Sequence, residues 1–173
     1  EVMFIPAKQQ PLKDGHCSTP EQRLEMLKLA LEKYEKFSFS DIELQREGEA
    51  SYTIDTMRIL AKFYPDCKLY FLMGTDSLKR LHEWKNAFEL VNRYDFIIYP
   101  RAGVIAPSYA ELMEHFGNRI AAKLIKSIVS AENLPVWDMA STALREVCKN
   151  GGDLSEYVPD AVGAYIRDNQ IYQ

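Results

Sequence analysis

The sequence predicts an α/β fold, a mainly parallel sheet with helices on both faces. Short apolar runs alternate with segments of helical period along the whole chain. Two of those runs, KLYFLMG at 68–74 and FIIYP at 96–100, are nearly continuous, the pattern of strands covered on both faces. The helical segments between runs supply the right-handed crossovers that parallel strands need.

The elements follow in order. Val2, Met3, Phe4 and Ile5 form an apolar run closed by Pro6, read as a buried strand, and a polar loop with Pro11 and Gly15 follows. Thr19-Pro20-Glu21-Gln22 combines an N-cap threonine, a proline at N1 and a glutamine at N3, which completes a capping box. Leu24, Leu27, Leu31 and Tyr34 share one face of that helix, which should run to about Tyr34. FSFSDIEL at 37–44 alternates as a strand does. Ser51 is placed to cap a second helix with the face Ile54, Met57, Leu60, Ala61 and Tyr64, stopped by Pro65.

After the strand at 68–74, TDSLKRLHEWKNAFELVNRY reads as one or two short helices leading to the strand at 96–100. Ser108 and Glu111 form a second capping box on a helix through Phe116. Gly117-Asn118 breaks it, and a further helix runs from Arg119 to about Ile128. PVWDM at 135–139 is a last strand, STALREVCK a helix ending near Gly151, and Pro159 opens a helix to about Asp168. With no repeat, low-complexity segment or linker, residues 1–173 are expected to form a single domain, with 141–173 its C-terminal helical part.

Composition narrows the class. A hydrophobic fraction of 47% and a charged fraction of 27% in 173 residues supply an ordinary core without disulfide or metal staples. A formal charge of −4 argues against coating nucleic acid. Cys17, Cys67 and Cys148 are an odd, widely spaced set without a Cys-x-x-Cys pair, which fits a reducing cytoplasm rather than a disulfide framework or zinc site. The apolar runs are too short to span a bilayer, so no membrane partner is expected. His16, His82 and His115 are scattered, with no two placed as paired ligands or as a local catalytic pair, and His115 reads as a surface or edge residue. Neither a P-loop nor a Gly-x-Gly-x-x-Gly fingerprint occurs.

In parallel sheets ligands bind beyond the carboxyl ends of the strands. The residues there are Lys13 after the first strand, Gly74 and Asp76 after the third, Arg101 after the fourth, and Ser141 and Thr142 after the fifth. Gly74 and Asp76 suit a nucleotide site, with backbone approach at the glycine and ribose hydroxyls on the carboxylate; they equally suit a turn and a helix cap. Ser141, Thr142 and Arg145 open a helix and suit phosphate, or else are an ordinary cap with a surface arginine. Tyr52 and Thr53 read as a cap and helix start. Trp84 can stack on a planar ring or pack at an edge.

The stretches FIPAKQQPLK, TPEQRLEMLKLAL, SDIELQREGEASYTIDT, YFLMGTDSL, HEWKN, FIIYPRAG, ASTALR and YVPDAVGAYI together resemble, in order, the bacterial nicotinate-nucleotide adenylyltransferases. These are nucleotidyltransferases of Rossmann-like fold that transfer AMP from ATP to nicotinate mononucleotide, giving the deamido dinucleotide and pyrophosphate. The resemblance implies that Tyr52, Thr53 and Trp84 bind the nicotinate end, Trp84 by stacking. It implies that Gly74, Asp76 and Arg101 face the adenylate, that Lys13 and Arg145 hold phosphate charge in the transfer, and that Ser141 and Thr142 belong to the second phosphate motif. It also implies ATP and nicotinate mononucleotide as partners, with Mg²⁺ carried mainly by ATP phosphates and no protein metal site.

The chain departs from the family pattern at Leu12, where a histidine is usual, and at Ala140, where a serine is usual. The family also opens with a strand, a Gly-rich turn and a His-x-Gly-His signature ahead of the segment resembling EVMFIP. On that basis the sequence is expected to be incomplete at its N-terminus, with activity belonging to the full-length protein. Another phosphate acceptor, or a non-catalytic nucleotide-binding or interaction role on the same fold, are the competing expectations.

Overall fold

A computed structural model describes residues 1–9, 18–48, 50–130 and 141–172. In chain order its elements are β1 (Val2–Phe4), α1 (Pro20–Leu31), β2 (Phe37–Phe39), α2 (Thr53–Phe63), β3 (Tyr70–Gly74) and α3 (Thr75–Lys79). A 3₁₀ turn at Leu81–Glu83 then leads to α4 (Ala87–Arg93), β4 (Asp95–Tyr99), α5 (Tyr109–Phe116), α6 (Asn118–Lys126), α7 (Ser141–Lys149) and α8 (Asp160–Asp168). They group into two compact units, Glu1–Ser51 with Met139–Gln173, and Tyr52–Asp138.

In the first unit β1 and β2 pair in parallel, Val2 beside Phe37 and Phe4 beside Phe39. The capping box of α1 forms: the Thr19 hydroxyl accepts from Gln22 N at 3.2 Å, and Gln22 Oε1 accepts from Thr19 N at 2.9 Å. The helix stops at Leu31, and Tyr34 is exposed beyond it. Its packing face is Met26, Leu29 and Ala30, against Cys148, Leu154, Val162, Ile166 and Ile171. Leu24, Leu27 and Leu31 are half-buried, as Met26, Leu29 and Ala30 are, so α1 is partly covered on more than one side. Arg23 on α1 donates to the carbonyls of Ala7 (2.6 Å), Lys8 (2.9 Å) and Ser18 (2.8 Å), which pins the segment after β1.

In the second unit β3 and β4 pair in parallel from Tyr70–Asp95 to Gly74–Tyr99. Ile98 also bridges in parallel to Ile128, its N–H donating to Ser127 O at 2.8 Å and its carbonyl accepting from Val129 N at 3.0 Å. Ile54, Leu78, Leu81, Leu90, Val91, Ile98 and Leu124 are fully enclosed in one core. That core meets the sheet on the side of Phe71, Met73, Phe96 and Ile98, while Tyr70, Leu72 and Ile97 on the opposite side stay exposed. Within this unit the two apolar strands are thus covered on one face, not the two their composition suggested.

The capping box at Ser108 and Glu111 forms, and Gly117 takes φ 77° between α5 and α6, a left-handed turn that favours glycine. Ser51 does not cap α2. The N-cap is Tyr52, without a side-chain cap bond, because the Ser51 hydroxyl accepts instead from Lys8 N at 2.9 Å. The strand expected at PVWDM lies outside the described residues. Among the described residues no helix is long and apolar enough to cross a membrane.

Candidate functional site

Because β3 and β4 end in register, Gly74 beside Tyr99, the residues that follow them leave the sheet at one edge. Gly74 has ordinary extended backbone, φ −87° and ψ 164°, so it is not required for a turn. It is required for space. A Cβ there would overlap the Asp76 carboxylate and come within 2.9 Å of Arg101 Cδ. Asp76 lies in the first turn of α3 but does not cap it. Its carboxylate accepts from Arg101 Nη1 at 3.2 Å. The Arg101 backbone N–H donates to the Thr75 hydroxyl at 3.1 Å, and Thr75 is 1% exposed. The structure thus brings Gly74, Asp76 and Arg101 into one cluster, anchored by a threonine that the sequence reading passed over. The Asp76 and Arg101 side chains are 44% and 43% exposed, open enough to meet a ligand.

A second cluster forms around Tyr52, Thr53 and Trp84. Trp84 ends the 3₁₀ turn, donating its backbone N–H to Leu81 O at 3.1 Å, and its ring meets Phe71 edge-on with centroids 5.8 Å apart. Asn86 then takes φ 50°, a left-handed conformation that asparagine tolerates, and turns the chain into α4. That turn carries Lys85 back onto α2. Its ammonium lies 4.3 Å from the Tyr52 ring centroid and donates to Asp55 Oδ2 at 2.9 Å.

From Asp55 the charges continue in a chain. Asp55 Oδ1 accepts from Arg58 at 2.9 Å, Arg58 makes a forked pair with Glu89, and Glu89 accepts from Arg93 at 3.0 Å. Burial pushes the Asp55 carboxyl up, but hydrogen bonds and charge from Lys85 and Arg58 outweigh it and hold the group below its ordinary value. The sequence reading missed Lys85 and Asp55. Their signal was sequence proximity to Trp84 and Thr53; their mutual contact, 30 positions apart, had none.

Ser141 and Thr142 occupy the exposed first turn of α7. Arg145 is half-buried, its guanidinium 6.0 Å from the Tyr172 ring, and the Tyr172 hydroxyl pairs with that of Ser18 at 3.1 Å. Lys13, with Leu12 and Ala140, lies outside the described residues. His115 is exposed on α5, as expected, but it is not isolated: His82 and His115, 33 positions apart, stack with ring centroids 3.8 Å apart and planes 2° from parallel. They line a cavity of about 220 Å³ with Leu78, Lys79, Glu111 and Phe116. Parallel rings aim their nitrogen lone pairs side by side rather than at one ion. Among the described residues no three His, Cys, Asp or Glu side chains are placed to hold a metal ion.

Residues 1–147 match the cytidylyltransferase-like family. The chain is 38% identical to a probable nicotinate-nucleotide adenylyltransferase of Herpetosiphon aurantiacus, over 99% of this chain and 83% of that protein. It is 36% identical to the protein of the same name from Symbiobacterium thermophilum, over 99% of this chain and 80% of that one. In structure it resembles the Plasmodium falciparum nicotinic acid mononucleotide adenylyltransferase complexed with NaAD, with a TM-score of 0.76 at 17% identity, covering 99% of this chain and 82% of that one. That likeness establishes the fold.

Proposed function

The chain belongs to the nicotinate-nucleotide adenylyltransferases, within the cytidylyltransferase-like family, and from that premise we propose how its residues serve adenylyl transfer. The reaction assigned is attack by the phosphate of nicotinate mononucleotide on the α-phosphorus of ATP. One P–O bond forms, the bond to pyrophosphate breaks, and pyrophosphate leaves with the electron pair. The product is the deamido dinucleotide of NAD biosynthesis.

The observation that carries the reading is the Asp76–Arg101 pair set over Gly74 at the ends of two parallel strands. That is where such a sheet binds nucleotide. Asp76 offers acceptors for ribose hydroxyls, Arg101 a forked cation for the nucleotide, and Gly74 the space for both. Tyr52, Thr53 and Trp84 are the acceptor-binding residues, with the Trp84 ring the stacking surface for the pyridine. Ser141, Thr142, Arg145 and Lys13 are assigned to phosphate.

The chemistry asks little else of the protein. The nucleophile is an ionised phosphate oxygen, so no general base is needed; positioning two polyanions and stabilising charge on the leaving pyrophosphate remain. Magnesium enters as part of the ATP substrate, held by its phosphates, since the carboxylate at the strand ends is already paired with Arg101. The compartment proposed is a reducing cytoplasm, in keeping with the free thiols of Cys67 and Cys148.

The test is an assay with ATP and either nicotinate or nicotinamide mononucleotide, reading pyrophosphate release. Turnover favouring the nicotinate substrate is expected. No adenylyl transfer by the full-length protein would remove the enzyme reading, and a preference for nicotinamide would remove the substrate assignment alone.

A further inference from the structure

We infer that Tyr172 is a positioning residue for Arg145, its ring holding the guanidinium where phosphate charge develops in the transfer. The inference rests on the adenylyltransferase reading above, which assigns Arg145 to phosphate, and deepens it.

The geometry starts on α7. Arg145 is half-buried there, and among the described residues its guanidinium makes no hydrogen bond or ion pair. What it meets is the Tyr172 ring, with 6.0 Å from Cζ to the ring centroid. A guanidinium lies readily on an aromatic face, and such a contact leaves its five N–H donors open to phosphate oxygens. A long side chain held by no hydrogen bond has many rotamers. A ring beside it narrows that choice before the substrate arrives, which is preorganisation.

The ring is itself fixed. Its hydroxyl pairs with that of the buried Ser18 at 3.1 Å. Arg23 holds the Ser18 carbonyl at 2.8 Å, and the carbonyls of Ala7 and Lys8 besides, so the anchor is tied to α1 and to the segment after β1. On the other side the backbone enters the left-handed region twice, at Gln170 with φ 51° and at Tyr172 with φ 68°. Between them Ile171 is buried in the cluster around α8, its N–H donating to Ile166 O at 3.0 Å. A left-handed backbone is rare at a bulky aromatic residue and persists where the surroundings over-determine it. Here those surroundings include Ser18 and Arg145. The ring also packs against the α8 cluster, and a purely structural role is what the test has to separate.

Steady-state kinetics on the full-length protein, in a double-mutant cycle between the two residues, makes that separation. Tyr172→Leu removes the ring and is expected to lower kcat about tenfold, with the KM of either substrate little changed. Tyr172→Phe keeps the ring and should cost no more than about threefold, as should Ser18→Ala, because both remove the same hydrogen bond. On an Arg145→Ala background the Tyr172→Leu loss should vanish, since no guanidinium is left to hold. A loss of folded enzyme would persist on that background. An equal loss from Tyr172→Leu on both backgrounds, or a Tyr172→Phe loss as large as that of Tyr172→Leu, would overturn the inference and leave the adenylyltransferase reading intact. Wild-type protein without adenylyl transfer would overturn that reading and the inference with it.

Discussion

The Asp76 carboxylate and the Arg101 guanidinium meet 3.2 Å apart over Gly74, where any side chain would collide with both. The two residues are 25 positions apart and come from successive parallel strands that end in register. Gly74 is thus a spatial requirement of the pair above it. Gly74→Ala forces Asp76 and Arg101 outward by a distance on the scale of an ångström, and a misplacement of that size costs about 100-fold in kcat/KM. The loss is expected in the ATP dependence, with the KM of the mononucleotide little changed; steady-state kinetics varying each substrate in turn would check it.

Asp76 is tested through the ribose. If its carboxylate accepts the ribose hydroxyls, deoxyribose analogues of ATP lose a charge-assisted hydrogen bond, and kcat/KM falls by about tenfold or more for wild type. Asp76→Ala should show that loss with ATP itself and no further loss with the analogue. A variant that still discriminates between ATP and the analogue would place the ribose elsewhere.

Trp84 and Phe71 meet at near right angles, and Trp84 packs against the core while staying only half-buried, which leaves part of its surface open to a ligand. Trp84→Ala should raise the KM of the mononucleotide by about tenfold, the scale of one aromatic stack on a base-like ring. The KM for ATP should move far less. Equal changes in both would mark Trp84 as a packing residue.

Asp95 opens β4 and is clamped by Lys68 at 2.9 Å and Lys123 at 3.1 Å. Hydrogen bonds from Lys68, then Lys123, hold its carboxyl below the ordinary aspartate value. A depressed folded-state value stabilises the fold above the unfolded value of about 3.9 and is lost as pH falls through the folded one. The pair is partly exposed, so its worth is at most about 1 kcal/mol. Asp95→Asn should therefore lower the midpoint of thermal unfolding at neutral pH, and the gap from wild type should close in strong acid. A gap independent of pH would assign the loss to packing.

Much of this was legible from local chemistry. The capping boxes at Thr19–Gln22 and Ser108–Glu111 span four residues each and formed as read. The expectation that ligand-facing residues follow the strands drew attention to Gly74, Asp76 and Arg101, and these three do converge. The misses are non-local. Ser51 has the chemistry of a cap, yet its hydroxyl is taken by Lys8 N, 43 positions away. His82 and His115 read as scattered because periodicity within one segment says nothing of a ring meeting another 33 positions off. The contact of Met26, Leu29 and Ala30 with the cluster around α8, and the Lys85–Asp55 contact made through the turn at Asn86, are likewise not written in a residue's own neighbours.

The most direct measurement is a crystal structure of the chain with the deamido dinucleotide bound. The account predicts the adenosine ribose within hydrogen-bonding distance of Asp76 at the ends of β3 and β4, and the pyridine ring stacked on Trp84. A dinucleotide bound away from Gly74, Asp76 and Arg101 would contradict it.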